Sequence, residues 1–207
     1  MRIGIDFDNT IACYDGTFHA AALALDLIPP DLARDKTSVR AHLRAAGQDD
    51  RFTLLQGHVY GPGMAQAAPF PGLIETLRAL RAAGHDLVLV SHRTRTPFAG
   101  PPHDLHEAAR SFLARHRLMD PAGPLRAEDV WLELTKTAKA ARIGALGCDV
   151  FIDDLPEILA LPEFPAATRP ILFDPDGHYP DGVWNGQRFD RYASWSAIGA
   201  ALLAVSA

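Results

Sequence analysis

The sequence predicts an α/β fold, with a parallel β-sheet covered by helices on both faces and a separate small helical lobe. Short apolar runs alternate along the chain with helical patterns, which is typical of βα units. These runs are rich in Val, Ile, Leu and Phe and lack polar alternation, as expected for strands that are covered on both faces. A segment with helical patterns of its own, residues 14–68, interrupts this order directly after the first strand.

The elements of the core follow from these patterns in chain order. Five strands are predicted, at 2–6, 85–91, 129–134, 148–153 and 169–174. Helices are predicted at 72–84, 103–118, 135–147 and 194–205. Gly84 and Gly147 are expected to end the first and the third of these helices, and Thr135 is expected to cap the start of the third.

The interrupting segment is expected to fold as a lobe of its own. It is far longer than the usual connection between a strand and a helix, and it carries helical patterns at 16–27, 38–47 and 51–64. The sequence Pro-Phe-Pro-Gly at 69–72 marks the return to the sheet. We therefore predict a core formed by residues 1–13 and 69–207 and an inserted helical lobe formed by residues 14–68.

The overall composition excludes some classes of partner. The chain of 207 residues has a net charge of −5, so it lacks the basic character of a nucleic-acid-binding protein. Asp6 and Asp8 interrupt the first apolar run, which argues against a secretion signal, and the last run, 195–207, is too short to span a bilayer. We therefore expect a cytoplasmic protein without a membrane partner. Cys13 and Cys148 do not form a disulfide framework, and no pattern indicates the oligomeric state.

Polar side chains end four of the five predicted strands. In chain order these side chains are Asp6, Asp8, Ser91, Glu133, Asp153 and Asp154. Lys136 and Lys139 begin the helix that follows the third strand. Because the carboxyl ends of parallel strands share one edge of the sheet, where ligands bind, we expect these groups to converge on one crevice.

Such a cluster of carboxylates requires a cation to offset its charge. A set of oxygen ligands without His or Cys favours Mg²⁺ over zinc. A partly filled Mg²⁺ shell attracts phosphate oxygens, and Ser91 together with a lysine can bind the remaining oxygens. A carboxylate in line with the phosphorus atom can then act as a nucleophile and form an aspartyl-phosphate.

At these residues the sequence resembles the haloacid dehalogenase superfamily. The first motif of that family, Asp-x-Asp-x-Thr or Val, matches DFDNT at 6–10, and the second, a Ser or Thr after an apolar strand, matches Ser91. The third, a lysine at a helix start, matches Lys139 or Lys136, and the fourth, an acidic pair, matches the residues 153–154. The resemblance implies a three-layer, Rossmann-like core with strand order 3-2-1-4-5, and it implies that the long insertion is a helical cap.

The resemblance also implies an activity, that of a Mg²⁺-dependent phosphatase acting on a small phosphorylated metabolite. Asp6 would attack phosphorus, and Asp8 would protonate the leaving oxygen and then activate water. Ser91 would bind the transferred phosphoryl group, and the lysine would offset charge. Mg²⁺ would be held by Asp6, by the main-chain carbonyl of Asp8 and by the acidic pair.

Two assignments within the motifs stay open. Lys139 is favoured over Lys136 because it starts the apolar face of its helix, and Asp154 is favoured as the direct metal ligand, with Asp153 in support. Further candidates for binding the phosphate or a second anionic group of the substrate lie beside the first two motifs: Asn9, Thr10, His92 and Arg93.

Other functions fit parts of the same pattern. The dehalogenase branch of the superfamily lacks the second acid of the first motif, so Asp8 argues against it. The phosphonatase branch needs a lysine in the cap, for which the candidate is Lys36. A phosphotransferase or phosphomutase shares the first half-reaction. A phospho-accepting receiver domain carries its accepting aspartate on the third strand, and here that strand ends WLEL without an aspartate.

Overall fold

The computed structural model describes residues 1–205. In chain order its helices and strands are β1 (Arg2–Ile5), β2 (Ala12–Cys13), α1 (Asp15–Ala24), α2 (Lys36–Ala45), α3 (Asp49–Tyr60), β3 (Ala68–Pro69), α4 (Leu73–Ala82), β4 (Asp86–His92), α5 (Leu105–Arg115), β5 (Val130–Glu133), α6 (Lys136–Ala145), β6 (Val150–Asp153), α7 (Pro156–Leu159), β7 (Arg169–Phe173), β8 (Val183–Trp184), β9 (Gln187–Arg188), β10 (Asp190–Tyr192) and α8 (Trp195–Ala204). Two 3-10 turns, at Pro62–Ala65 and Ala127–Asp129, complete the described elements.

The chain divides into two compact units. The first consists of Met1–Ile11, Pro69–Arg93 and the chain from Arg117 onward, and the second consists of Ala12–Ala68 and Thr94–His116. The second unit therefore contains α5, which follows β4, in addition to the inserted segment. The domain boundaries given by the sequence, 1–13 with 69–207 and 14–68, stay a prediction.

The first unit is built on a parallel sheet with the strand order β10-β7-β6-β1-β4-β5. The predicted α/β class and the predicted order 3-2-1-4-5 are confirmed, since the five predicted strands correspond to β1, β4, β5, β6 and β7. The predicted number of strands is wrong, because the sheet has six. The sixth strand, β10, has three residues, none of them buried, so no apolar run indicated it, and it forms only by pairing with β7.

Helices cover both faces of this sheet. Val88, Val90 and Phe151 lie in one buried cluster with Ile143 of α6 and Leu159 of α7. On a strand successive side chains point to opposite faces. The strand residues next to those of the cluster therefore face the other side of the sheet. On that side Trp195 of α8 lies against Phe173 of β7, and α8 packs on α4. The core is thus apolar on both faces of every central strand, which explains the absence of polar alternation.

The helix that carries the two candidate lysines begins and ends as the sequence predicts. The hydroxyl oxygen of Thr135 accepts a hydrogen bond from the amide of Ala138 at 3.0 Å and caps α6. Gly147 follows the last turn with a φ of 62°, the left-handed conformation that often ends a helix. Thr135 and Gly147 therefore mark the start and the end of α6, which lies between β5 and β6 in the chain.

Gly4 allows β1 to lie close beneath the residues of the neighbouring strand. A Cβ atom at this position would lie 2.5 Å from Cδ2 of Phe151 and 3.0 Å from Sγ of Cys148. Such distances are too short for carbon and sulfur atoms, so a larger residue would displace Phe151. The glycine therefore maintains the packing of the central strands that present the site residues.

The second unit is a helical bundle with an aromatic core. Its helices α1, α2 and α3 pack on one another, and α5 packs on α3 and on the 3-10 turn at Pro62–Ala65. Phe18 of α1 stacks on Phe52 of α3 with their ring centroids 5.6 Å apart. Arg115 of α5 donates hydrogen bonds to the carbonyls of Met64 and Ala65 at 2.8 and 2.9 Å.

None of the described helices is long and apolar enough to cross a membrane.

Candidate active site

Three of the predicted site residues lie together at the carboxyl edge of the central strands. Asp6 directly follows β1, Ser91 is the sixth residue of β4, and Asp153 ends β6. All three side chains are buried. Because β1 lies between β4 and β6, the parallel register brings these three polar groups into one cluster, and the amide of Asp6 also donates to the carbonyl of Ile152 at 2.9 Å.

Lys139 joins this cluster from the first turns of α6. Its ammonium nitrogen lies 2.6 Å from Oδ1 of Asp6 and 2.6 Å from Oδ2 of Asp153. The hydroxyl of Ser91 donates to the same Asp6 oxygen at 2.9 Å. The Lys139 side chain is only 2% exposed, and a buried lysine is tolerated where carboxylates compensate its charge. Asp6 is thus the point on which two donors converge.

The burial of Asp6 has an electrostatic consequence. Burial raises the pKa of its carboxyl group to about 7 from the ordinary value of 3.8, against the opposing attraction of Lys139. The negative charges of Asp153 and Asp8 raise the pKa further. The attraction of Lys139 therefore does not offset the effect of burial on Asp6, and an additional positive charge would favour the ionised form of this carboxyl group.

The acidic groups are arranged so that they could supply that charge by binding a metal ion. Asp6, Asp153 and Asp154 each offer a carboxylate oxygen, and these oxygens lie within 4.8 Å of one another. The cluster contains oxygen donors only, the ligand type that hard cations such as Mg²⁺ prefer. The donor set therefore favours a hard divalent cation over zinc, which is more often bound by His and Cys.

Asp8 lies two residues beyond Asp6 and is paired with Arg93. Nη1 of Arg93 donates to Oδ1 of Asp8 at 2.6 Å. The Arg93 side chain is 2% exposed and that of Asp8 is 22% exposed. The sequence identified both residues as site candidates, but it did not predict that they contact each other.

The turn that follows Asp8 contains Asn9 and Thr10. Asn9 has a φ of 54°, a left-handed conformation that asparagine tolerates better than most residues, and the amide of Ile11 closes the turn on the carbonyl of Phe7 at 3.0 Å. Thr10 is fully buried. The structure thus gives Asn9 and Thr10 positions in the turn, and their phosphate-binding roles stay predictions.

Sequence reasoning did not find Trp195, the residue that fixes this turn from the far end of the chain. Its indole Nε1 donates to the carbonyl oxygen of Thr10 at 2.9 Å. Its own carbonyl accepts a hydrogen bond from Thr76 at 3.1 Å. Trp195 is the first residue of α8 and is fully buried. No local signal in the sequence connects this tryptophan with the first strand.

The remaining candidates are placed differently. Lys136 lies in an exposed ion pair with Glu157, with 3.1 Å between Nζ and Oε1, and it makes no hydrogen bond to Asp6 among the contacts described. His92 is half-buried at the end of β4, and burial lowers its pKa below the usual range. The geometry therefore favours Lys139 over Lys136, and the role of His92 in binding an anion stays a prediction.

Comparisons with known proteins show which fold this chain resembles. No protein-family model matches the chain, and no curated protein matches it. Several solved structures do match the chain. A HAD family hydrolase from Deinococcus radiodurans R1, with bound phosphate and sodium, is 21% identical, with 98% of this chain and 95% of that chain covered and a TM-score of 0.59.

Two further structures cover almost the whole chain. A predicted phosphatase from Clostridium acetobutylicum is 13% identical, with 98% of each chain covered and a TM-score of 0.63. A haloacid dehalogenase-like family hydrolase from Xanthomonas campestris is 15% identical, with 100% of this chain and 96% of that chain covered and a TM-score of 0.55. Together with the order of the parallel strands, these similarities show that the chain has the fold of the haloacid dehalogenase superfamily of hydrolases.

Proposed function

We propose that this protein is a Mg²⁺-dependent phosphatase that hydrolyses a small phosphorylated metabolite through an aspartyl-phosphate on Asp6. The observation that carries the proposal is the convergence of Lys139 and Ser91 on Oδ1 of Asp6, at 2.6 and 2.9 Å. A buried carboxylate held by two donors at the end of a central strand has the fixed position that a nucleophile needs and a partly compensated charge.

The metal would be held by Asp6 and Asp154, with the main-chain carbonyl of Asp8 as a further ligand. Asp153 would support the site, since its Oδ2 accepts from Lys139 at 2.6 Å and its Oδ1 accepts from the amide of Leu155 at 2.9 Å. When bound, the ion would neutralise negative charge on the phosphoryl group and on the carboxylates. The oxygen-only ligand set supports Mg²⁺ as the ion.

The chain's own residues would divide the reaction into two steps. In the first, a carboxylate oxygen of Asp6 forms a bond to phosphorus, the bond from phosphorus to the leaving oxygen breaks, and Asp8 gives that oxygen a proton. In the second, Asp8 takes a proton from a water molecule whose oxygen bonds to phosphorus, and the bond from phosphorus to Asp6 breaks. Lys139 offsets the charge of the phosphoryl oxygens, and Ser91 can turn its hydroxyl from Asp6 to one of them.

A phosphotransferase or phosphomutase would share the first step and differ in the acceptor of the second. The dehalogenase branch is a more distant alternative, although one solved structure of similar fold, 15% identical with a TM-score of 0.54, is described as a dehalogenase. That branch attacks carbon and needs neither a second acid nor a metal. Asp8 and the cluster of three carboxylates therefore support phosphoryl chemistry.

The proposal is tested by substrate panels with two different readouts. The purified protein is assayed with Mg²⁺ against sugar phosphates, nucleotides, phosphorylated acids and an aryl phosphate, and inorganic phosphate is measured. In parallel, 2-haloacids are assayed for halide release. We expect phosphate release that EDTA abolishes and that Mg²⁺ or Mn²⁺ restores. Halide release without metal would contradict the proposal, and transfer to an added alcohol in preference to water would indicate a phosphotransferase.

A further inference from the structure

Arg93 is an unusually buried arginine. The residue is 3% exposed, and arginine is almost never buried unless its charge is paired. Its partner is Asp8, whose Oδ1 accepts from Nη1 at 2.6 Å. This is a charge-assisted hydrogen bond with a short distance, and it joins the end of β4 to the turn after β1.

Two further contacts hold Arg93 in place, one of its guanidinium group and one of its main chain. Its carbon lies 5.4 Å from the ring centroid of Phe7, a distance at which a cation is attracted to an aromatic face. Phe7 is itself fully buried. The main-chain amide of Arg93 donates to the carbonyl of Glu133, the last residue of β5, at 2.8 Å. The guanidinium is thus anchored by the packing of the sheet, and it offers Asp8 a fixed point.

Asp8 lies beyond the end of β1, three residues before Ile11, and its carboxyl group can rotate about two side-chain bonds. A general acid must lie within about 2.6–3.2 Å of the oxygen that it protonates, and a misplacement of about 1 Å can reduce a rate about a hundredfold. The group that fixes the carboxyl orientation therefore determines whether the proton reaches the leaving oxygen.

We infer that Arg93 is a positioning residue that holds Asp8 in the orientation required for proton transfer to the leaving oxygen. The inference rests on the proposed phosphatase function and assigns Arg93 a different role from the anion binding expected from its sequence position. If Arg93 bound the phosphoryl group, its removal would lower kcat/KM by the same factor for all phosphate esters. If Arg93 positions Asp8, its removal would lower kcat/KM most for the substrates whose leaving group needs a proton.

The test is the dependence of kcat/KM on the basicity of the leaving group. Wild type and the variants Arg93→Ala, Arg93→Lys and Asp8→Asn are assayed with a series of aryl phosphates and with an alkyl phosphate. We expect Arg93→Ala to lose about a hundredfold on the alkyl phosphate, whose poor leaving group requires the acid, and only a few-fold on the most activated aryl phosphate. Asp8→Asn should likewise reduce kcat/KM more for the alkyl phosphate than for the most activated aryl phosphate.

Arg169→Ala is the matched control. Arg169 is the first residue of β7, so it lies at the amino-terminal edge of the sheet, away from the site at the carboxyl edge. Its Nε donates to Oδ2 of Asp190 at 2.8 Å. It should change neither kcat/KM nor its dependence on the leaving group. Thermal unfolding of each variant verifies the fold. If Arg93→Ala does not fold, Arg93→Lys, which keeps the charge but loses the fork of donors, carries the test.

Two results would overturn the inference. One is an equal loss on all substrates in Arg93→Ala, which would indicate a contact with the phosphoryl group itself. The other is an unchanged rate, which would make the ion pair purely structural. Wild-type turnover of the aryl phosphates is measured first and tests the phosphatase function alone, so its absence would reject the proposed function and, with it, the role of Arg93.

Discussion

The ammonium nitrogen of Lys139 lies 2.6 Å from Oδ1 of Asp6, although the two residues are 133 positions apart in the sequence. The contact is possible because α6 starts directly after β5 and presents its first turns to the carboxyl edge of the sheet. It joins a buried carboxyl group and a buried ammonium group, each of which would be costly to bury alone. The site therefore depends on this pair for its charge balance as well as for its chemistry.

Asp6→Asn should abolish phosphatase turnover, with a loss of at least about a hundredfold, because an amide cannot replace the carboxylate as nucleophile. The side chain keeps its size, so the circular dichroism spectrum should stay unchanged. The measurement is phosphate release from the best substrate of the panel, with Asp190→Asn, at the exposed first residue of β10, as the control. Retained activity above that limit would exclude Asp6 as the nucleophile.

Lys139→Met and Lys136→Met should differ sharply in stability. The first leaves the buried carboxylates of Asp6 and Asp153 without their partner, a change that costs about 3–5 kcal/mol in comparable buried pairs. The second removes an exposed ion pair with Glu157, worth about 0–1 kcal/mol. Urea denaturation measures both, and Lys139→Met should also lose turnover. Equal effects of the two substitutions would show that Lys139 is not the residue of the site.

The stability of the metal-free protein should depend on pH through Asp6. Its folded pKa of about 7 lies above the ordinary value of 3.8, chiefly through burial, so between these values the folded chain binds a proton that the unfolded chain has released. The free energy of unfolding should therefore fall as the pH rises from about 4 to about 7. Denaturation in EDTA at pH 5 and pH 8 should show this fall in wild type and a smaller one in Asp6→Asn. The same slope in both proteins would contradict the burial effect.

Mg²⁺ should raise the melting temperature at neutral pH. A cation that binds only the folded state stabilises it by about 2.7 kcal/mol at a hundred times its Kd. The carboxylates of Asp6, Asp153 and Asp154 are the groups that would bind it. Differential scanning fluorimetry with EDTA and with Mg²⁺ measures the shift, and Asp154→Asn should reduce it. An identical melting temperature under both conditions in wild type would argue against a metal site.

The two cysteines should react at very different rates with a thiol reagent at pH 8. Both are free. Burial raises the pKa of Cys148 to about 11, so its reactive thiolate is scarce at that pH, and the residue is 3% exposed. Cys13 is partly exposed. We expect one fast equivalent that Cys13→Ser removes, and a second equivalent only after denaturation. Two fast equivalents in the native protein would disagree with the packing of Cys148.

Local patterns were sufficient for much of the fold. The helix signals at Thr135 and Gly147 are confirmed by the start and end of α6, because capping depends on a few neighbouring residues. The order of the central strands followed from the family resemblance and is confirmed. The strand β10 was missed because its residues carry no apolar run, and only its pairing with β7 makes it a strand.

The sequence by itself determined which residues end the strands, and therefore which carboxylates, hydroxyl and lysines are candidates for the site. Only the tertiary structure decided which of them touch. Lys136 and Lys139 are both near the start of α6, and the packing of that helix on the sheet directs Lys139 to Asp6 and leaves Lys136 in an exposed pair. The contacts of Arg93 with Asp8 and of Trp195 with the turn at Thr10 join distant parts of the chain. Such contacts leave no periodic trace in a sequence, because they depend on how packed elements meet and not on local conformational preference.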